Sequence, residues 1–256
     1  MGGTTKQIRV FRQQVPRPPL ALQMATPSWM MELQDSYAST PFDLVDAFRR
    51  PLNDLDEKFE RESNSRIRLP SSGMKRSAGV LLILLGETSS PRLLLTRRAL
   101  NLKSHAGEMS LPGGKIDGLE TPLEAAIREC HEEIGVESSH LSVVGKITEL
   151  QTMSSGISMS AFLARGLWDA YSYLKSDVEV DFIAEIPISE LLGPNVYHQE
   201  LWKNGAAQTT MHFFALGDDL VWGATAYIIV QWLKRIYSGY FFHDDRAIKG
   251  AIQWQQ

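Results

Sequence analysis

The segment from Thr121 to Gly135 constrains this chain more than any other, because its residues define both ends of a helix. Thr121 is followed directly by Pro122 and, three positions on, by Glu124. This is a capping box with proline at the first helical position. Gly135 is suited to the left-handed conformation that ends many helices. The segment therefore predicts a helix over residues 122–134.

The two faces of this helix have different compositions. Apolar residues recur at three- and four-residue spacing and predict a buried stripe. They are Leu123, Ala126, Ile127, Cys130 and Ile134. Glu129 and Glu133 are four positions apart and Glu132 is three from Glu129, so we expect the three carboxylates to meet on the opposite edge. A solvated acidic face is one interpretation; the other is a site for Mg²⁺ or Mn²⁺, which prefer such hard oxygen ligands.

The stretch from Gly114 to Val136 resembles the Nudix box, a pattern of glycines, glutamates and one arginine at fixed spacing. The matching residues are Gly114, Glu120, Arg128, Glu129, Glu132, Glu133, Gly135 and Val136. Cys130 stands where a bulkier apolar residue is usual, and its thiol can still pack in a core. The resemblance implies an α/β fold, the Nudix-type α/β/α sandwich with a mixed β-sheet. It also implies an enzyme that hydrolyses a nucleoside diphosphate linked to a second group.

The same resemblance implies roles for the box residues. Glu129 and Glu133 would be the main ligands of Mg²⁺ or Mn²⁺, with Glu132 supporting them. Arg128 would orient a glutamate, with Glu120 as its partner across the loop. Bound metal would neutralise phosphate oxygens and lower the pKa of the attacking water. The general base stays open between a box glutamate and an acid from a later loop.

Residues 94–114 resemble the signature that precedes the box in coenzyme A pyrophosphatases. The matching residues are Leu94, Leu95, Thr96, Arg98, Ala99, Gly107, Pro112, Gly113 and Gly114. Lys103 stands where arginine is usual, and Leu111 where phenylalanine is usual. The resemblance implies hydrolysis of CoA or acyl-CoA to 4′-phosphopantetheine and adenosine 3′,5′-bisphosphate. The alternatives are another dinucleotide substrate, such as ADP-ribose or NADH, and a non-catalytic domain that senses a nucleotide.

CoA carries a 3′-phosphate as well as its diphosphate, so additional cations are expected near the box. Arg98, Lys103 and His105 are the candidates, and the guanidinium of Arg98 best matches phosphate geometry. His105 is equally suited to capping the loop. Arg97 is assigned to the solvent-facing end of a strand. Gly113 and Gly114 would let the backbone approach the substrate closely.

The overall composition limits the classes of protein to which the chain can belong. With 256 residues, 43% of them hydrophobic, it can form one large domain or a domain with an extension. A formal charge of −4 argues against a nucleic-acid-coating protein. One cysteine fits a reducing compartment, and no apolar run approaches the roughly 18 residues of a membrane span. We therefore predict a cytoplasmic protein with a small-molecule nucleotide substrate and neither a nucleic-acid nor a membrane partner. Dimers are common in the superfamily, which is compatible with a homodimer.

The chain divides into four predicted parts. These are a basic N-terminal extension over 1–31, a helical segment and linker over 32–76, the Nudix domain over 77–240 and a C-terminal tail over 241–256. The extension has arginines but no acidic residue. It is therefore expected to be a flexible tail or an over-long start that precedes a true beginning at Met24, or alternatively a mitochondrial transit peptide.

Periodicity and turn residues predict the main elements within the domain. Strands are predicted at 78–86, 92–97, 141–151 and 157–164, a hairpin at Asn204-Gly205 and a final helix at 223–237. Glu179 is either a further metal ligand or base, or part of a solvated acidic edge, and we favour the solvated edge.

Overall fold

The computed structural model describes residues 20–49, 77–152, 156–168, 173–204 and 207–241. The strands are β1 Leu20–Met24, β2 Ser77–Leu85, β3 Arg92–Arg98, β4 Met109–Ser110, β5 Gly113–Lys115, β6 Leu141–Gln151, β7 Ser158–Gly166, β8 Val180–Pro187, β9 Tyr197–Asn204, β10 Ala207–Leu216 and β11 Asp219–Val221. The helices are α1 Ser28–Ser39, α2 Leu44–Arg49, α3 Pro122–Ile134, α4 Ile188–Leu191 and α5 Gly223–Phe241. Residues 50–76 of the predicted helical segment and linker, and the tail from 242 onward, lie outside the described residues.

β2 is the central strand of the main sheet. It pairs in parallel with β7 and antiparallel with β3 and β5. β8 extends the sheet beyond β3, and β6 extends it beyond β7. Helices cover both faces of β2, and a strand buried on both sides is expected to be continuously apolar, as β2 is. The sheet is therefore mixed, as predicted for the α/β fold class.

β2 and β3 pair over only a short stretch, from Ile83–Leu85 to Arg92–Leu94, before they separate. In the gap, β5 pairs with the start of β2 and β4 pairs with the end of β3. Gly113 has a φ of 140° there, and a Cβ on it would lie 2.3 Å from the carbonyl oxygen of Gly79. Only glycine tolerates both the conformation and the approach. The separation of the two strands thus places Gly113 and Gly114 in the middle of the sheet.

The predicted helix over residues 122–134 is confirmed as α3. The Thr121 hydroxyl accepts from the Glu124 amide at 3.3 Å, and the Glu124 carboxylate accepts from the Thr121 amide at 2.7 Å. Gly135 ends the helix in the left-handed region with a φ of 75°. The predicted stripe packs on one face of the main sheet, with Ala126, Cys130 and Ile134 fully buried.

The opposite face of the main sheet packs against α5 and a second, antiparallel sheet with strand order β1-β9-β10-β11. Ile229, Trp232 and Leu233 of α5 are completely buried. The Asn204-Gly205 hairpin prediction agrees with the antiparallel register of β9 and β10, although Gly205 itself lies outside the described residues. The layers are therefore the box helix, the main sheet, and α5 with the second sheet.

The N-terminal region differs from the predicted extension over residues 1–31. Residues 20–24 form β1 and pair with β9, and α1 begins at Ser28. On α1, Met30 and Leu33 are fully buried in the main core. Residues 20–31 are thus part of the packed fold, because they add a strand and a helix to the second sheet and α5. Of the helical segment and linker predicted over 32–76, residues 32–39 belong to α1, residues 44–49 form α2, and residues 50–76 lie outside the described residues.

None of the helices in the described part of the chain is both long enough and apolar enough to cross a membrane.

Gly79→Ala should destabilise the protein strongly, because a Cβ at this position would lie 1.7 Å from the carbonyl oxygen of Pro122 at the start of α3. Overpacking costs about 1–3 kcal/mol, and here the obstacle is backbone, so we expect a loss of about 3 kcal/mol in the free energy of unfolding. Urea unfolding measures it. Gly145→Ala is the matched control, since its Cβ would lie at an ordinary 3.5 Å from Phe48. Equal losses in the two variants would contradict this packing account.

Candidate active site

Arg128 on α3 is the centre of the ion pairs in the box. Its Nε and Nη2 donate to the two carboxylate oxygens of Glu120 at 3.1 and 2.7 Å, and Nη2 also donates to the Lys115 carbonyl at 3.0 Å. Its Nη1 lies 2.8 Å from Glu132 and 3.1 Å from Glu129. The hydrogen bonds to Arg128 hold the pKa of Glu120 below its usual value. The structure thus brings Arg128 and Glu120 together across the loop that precedes the helix.

The predicted meeting of three carboxylates is not found. Across the described ranges from residue 20 to 241, no three Asp, Glu, His or Cys side chains converge into a group that could hold a metal ion. The physical reason is Arg128, which pairs with Glu132 and Glu129. The Glu132 side chain is also half exposed. Glu129 and Glu133 remain the candidates for direct contact with a metal.

Glu133 is the most deeply buried acid of the box, with only 4% of its surface exposed. One carboxylate oxygen accepts from the Gly113 amide at 3.1 Å. Burial raises the pKa of Glu133 to about 7, although that hydrogen bond and Arg98 act in the opposite direction. A bound cation would favour the ionised form of this carboxylate and so offset the cost of burying its charge.

Glu129 lies against Gly114. A Cβ on Gly114 would lie 2.3 Å from the Glu129 carboxylate carbon, so the absence of a side chain there gives Glu129 its place. Burial raises the pKa of Glu129, and Arg128 partly offsets that effect. Gly113 therefore binds Glu133 through its amide, and Gly114 leaves the space that the Glu129 side chain occupies.

Arg98, at the end of β3, points to the same place. Its Nη1 lies 3.9 Å from a carboxylate oxygen of Glu133. Its Nε is buried, and no acceptor in the described part of the chain lies within hydrogen-bonding distance of it. A buried guanidinium donor without a partner is costly, and a phosphate oxygen is the acceptor that matches its geometry.

Lys103 and His105 lie on the loop that joins β3 to β4. Backbone hydrogen bonds between Arg98 and residues 107 and 108 close this loop. Lys103 is exposed. His105 has a φ of 56°, and its Nδ1 lies 3.0 Å from the Glu108 carboxylate. That contact favours the loop-capping interpretation of His105, whereas Lys103 extends from the loop into solvent.

Two residues make contacts that sequence reasoning missed. Arg97 lies near the end of β3 and its side chain is about one-third exposed, but its guanidinium donates to Asp181 at 2.9 Å and to Asp219 at 3.2 Å and lies over the ring of Phe182. It joins β8 to the second sheet. Both partners are more than eighty positions away in sequence, so no local signal could have identified them.

Glu179 is the second such residue. Its carbonyl accepts from the Ala99 amide at 2.9 Å, directly after Arg98. Its charge acts on both Glu129 and Glu133, raising the pKa of each beyond the effect of burial. Glu179 is exposed, which agrees with the favoured interpretation as part of a solvated acidic edge, and this edge lies close enough to the box for its charge to act on Glu129 and Glu133.

Although three side chains do not converge, two carboxylates in these surroundings fit Mg²⁺, because this ion is usually held by one or two carboxylates together with waters and substrate phosphate oxygens. Glu129, Glu133 and Glu179 repel one another electrostatically, and two of them are desolvated. Hard oxygens of like charge are the donor set that Mg²⁺ and Mn²⁺ prefer. Glu129 and Glu133 would hold the ion.

Comparison with known proteins gives a consistent result. A family model described as NUDIX domain matches residues 74–195. The chain is 34% identical over 166 residues to the uncharacterized Nudix hydrolase NudL of Photorhabdus laumondii, covering 64% of this chain and 87% of that protein. The protein of the same name from Yersinia pestis is 34% identical over 160 residues, with coverages of 62% and 78%. Among solved structures, a MutT/nudix family protein from Enterococcus faecalis has a TM-score of 0.49 at 14% identity, covering 89% of this chain and 80% of that one.

Glu133→Gln should make the metal-free protein more stable at alkaline pH while abolishing most metal-dependent hydrolysis. In the folded state the pKa of Glu133 is about 7, against 4.5 for an ordinary glutamate. The folded state therefore binds more protons, and wild-type stability falls as the pH rises from about 4.5 to about 7. Above that window we expect the variant to gain about 3 kcal/mol in the free energy of unfolding relative to the wild type. Unfolding in EDTA at a series of pH values measures this, with the exposed Glu190→Gln as control; a constant difference between variant and wild type would refute it.

Gly114→Ala should weaken metal binding with little effect on folding, because its Cβ would displace the end of the Glu129 side chain. Changes beside a ligand lower metal affinity about 10- to 100-fold. Mn²⁺ titration followed by electron paramagnetic resonance gives the affinity, and thermal unfolding checks the fold. Gly145→Ala is again the control. Unchanged Mn²⁺ affinity in Gly114→Ala would remove Glu129 from the set of ligands.

Proposed function

Because the chain belongs to the Nudix hydrolase family, we propose that its substrate is coenzyme A or a CoA derivative. As a member of this family, it hydrolyses a nucleoside diphosphate linked to a second group. In the proposed reaction, the oxygen of water forms a new bond to phosphorus and the bond between phosphorus and the bridging oxygen breaks. The products are 4′-phosphopantetheine and adenosine 3′,5′-bisphosphate.

The observation that supports a diphosphate at this place is the buried Nε of Arg98 beside Glu133, and the choice of CoA rests on the resemblance of residues 94–114 to the coenzyme A pyrophosphatase signature. The buried Nε of Arg98 finds no acceptor in the described part of the chain, and its Nη1 lies only 3.9 Å from the Glu133 carboxylate. An oxygen of the diphosphate bound at the box glutamates would accept from this donor. The second cation, Lys103, extends from the adjoining loop and is suited to a phosphate farther along the substrate, as the 3′-phosphate of CoA is.

The two departures from the coenzyme A pyrophosphatase signature are compatible with this assignment. Leu111 is buried in the main core with 4% of its surface exposed, so its difference from phenylalanine is a change in packing. Lys103 keeps the positive charge that the usual arginine supplies and loses only the forked geometry.

Each part of the site then has a task. A bound Mg²⁺ or Mn²⁺ would neutralise phosphate oxygens and lower the pKa of the attacking water. Glu129 and Glu133 are its proposed ligands, and Arg128 holds Glu120 and Glu132 in place. Glu179 adjoins the site and, with the box glutamates, is a candidate to accept the proton of the water.

A panel of substrates tests the proposal. The purified protein is incubated with Mg²⁺ or Mn²⁺ and with CoA, 3′-dephospho-CoA, ADP-ribose or NADH, and kcat/KM is compared. We expect the highest value for CoA. If ADP-ribose or NADH were hydrolysed more efficiently, the proposal would be wrong; if nothing were hydrolysed, a nucleotide-sensing role would be favoured.

Two variants separate the proposed roles of the cations. Lys103→Ala should lower kcat/KM for CoA about 10-fold more than for 3′-dephospho-CoA, because a charge-assisted hydrogen bond to the 3′-phosphate contributes on the order of 1.5–3 kcal/mol. Arg98→Ala should impair both substrates alike, since both contain the diphosphate. Lys146→Ala, on the far strand β6, is the matched lysine control. Equal losses on both substrates for Lys103→Ala would show that this lysine does not read the 3′-phosphate.

A further inference from the structure

Exposed apolar side chains occur on the segments that flank the end of β3 and the start of β8. Among the described residues, the large exposed apolar side chains include Leu100, Leu174 and Val178, with 73%, 76% and 68% of their surface exposed. Leu100 follows β3, and Leu174 and Val178 precede β8. A single exposed hydrophobic residue needs no explanation, so what matters is what lies beside these residues.

Two of these residues, Leu100 and Val178, are held next to the phosphate-binding arginine. The Ala99 amide donates to the Glu179 carbonyl at 2.9 Å, which joins the neighbours of the two residues directly. The register of the strands pairs Arg98 with Val180 at the same point. We call Leu100 and Val178 the apolar rim.

The backbone fixes the apolar rim relative to the box as well. The Ser176 amide donates to the Glu133 carbonyl at 2.8 Å, so the loop carrying Val178 is attached to the last turn of α3. On the other side, Leu100 lies over Gly107, where an added Cβ would be 3.0 Å from its side chain. The backbone segments that carry the apolar rim are therefore attached next to Arg98 and to the last turn of α3, which carries Glu133.

An apolar surface next to a bound diphosphate would distinguish nucleoside diphosphate derivatives by the group attached to the second phosphate. In CoA, the group attached to the diphosphate opposite the adenosine is a pantoyl unit, whose geminal dimethyl carbon is one CH₂ removed from the phosphate oxygen. In ADP-ribose and NADH, a hydroxylated ribose occupies this position. Apolar side chains favour methyl groups, whereas a hydroxyl placed against them loses hydrogen bonds to water.

We propose that the apolar rim contacts the geminal dimethyl group of the pantoyl unit and thereby discriminates CoA from ribose-containing diphosphates. This inference rests on the proposed function, and it assigns the selection to Leu100 and Val178. Arg98 anchors the diphosphate, Lys103 reads the 3′-phosphate on the adenosine side, and the apolar rim reads the other side.

The test compares 3′-dephospho-CoA with ADP-ribose, because both consist of ADP joined to a second group and neither has a 3′-phosphate. For the wild type we expect kcat/KM to favour 3′-dephospho-CoA by about 10-fold, the value for burying two methyl groups. In the double variant Leu100→Ser/Val178→Ser this ratio should fall to within about twofold of unity. Leu167→Ser is the matched control, since this residue is also exposed but follows β7 at the end remote from Gly113 and Gly114; its ratio should equal that of the wild type.

The outcomes separate the inference from the proposed function. If the double variant kept the wild-type ratio, or if the wild type showed no preference between the two probes while still preferring CoA to both, the role of the apolar rim would be refuted and the proposed function would stand. If the wild type preferred ADP-ribose to CoA, the proposed function and the inference would both fail. Circular dichroism and thermal unfolding of each variant verify that the fold is retained.

Discussion

The geometry of the site depends on how closely the start of α3 approaches β2. At Gly79 the strand has no side chain, and the Pro122 carbonyl occupies the space that a Cβ would fill. The same strand pairs with β5, so Gly113 and Gly114 lie beside the helix that it supports. The glutamates, the glycines that accommodate them and the amide that binds Glu133 are thus positioned by one strand. Glycine is required at positions 79 and 113 because the backbone of another segment lies where a Cβ would be, and the arrangement of the site follows from this packing.

Several glutamates lie together in the site, and nearby cations neutralise their charges to different extents. Arg128 neutralises the outer glutamates through several hydrogen bonds, whereas within the described residues the Glu133 carboxylate has the Gly113 amide and a long contact to Arg98 as its partners. The charge of the buried Glu133 carboxylate is therefore incompletely neutralised, and the Nε of Arg98 has no acceptor among the described residues. A metal ion and a phosphate ester have complementary charges that would satisfy both, which is why the site suits a metal-diphosphate complex better than either component alone.

Sequence reasoning succeeded where local rules decide the structure. The ends of α3 were predictable because Thr121, Glu124 and Gly135 act within one turn, and the strands β2 and β6 were predictable from their apolar patterns. It failed where distant segments meet. Arg97 has partners on β8 and β11, and residues 20–24 owe their strand to β9, so neither follows from its neighbours in sequence. The three box carboxylates did not converge as expected, because helical spacing does not show which other side chains they pair with. Arg128 pairs with two of them, Glu129 and Glu132.

The C-terminal end of α3 is completed by a segment far along the chain. The amides of Leu174 and Ser176 bind the carbonyls of Ile134 and Glu133, where a helix otherwise leaves its last carbonyls without partners. The metal-binding face and the loop that leads to Val178 therefore share one rigid attachment. The hydrogen bond from Ser176 reaches the backbone of Glu133 without any intervening side chain. The position of this proposed metal ligand therefore depends in part on residues that the helix itself does not contain.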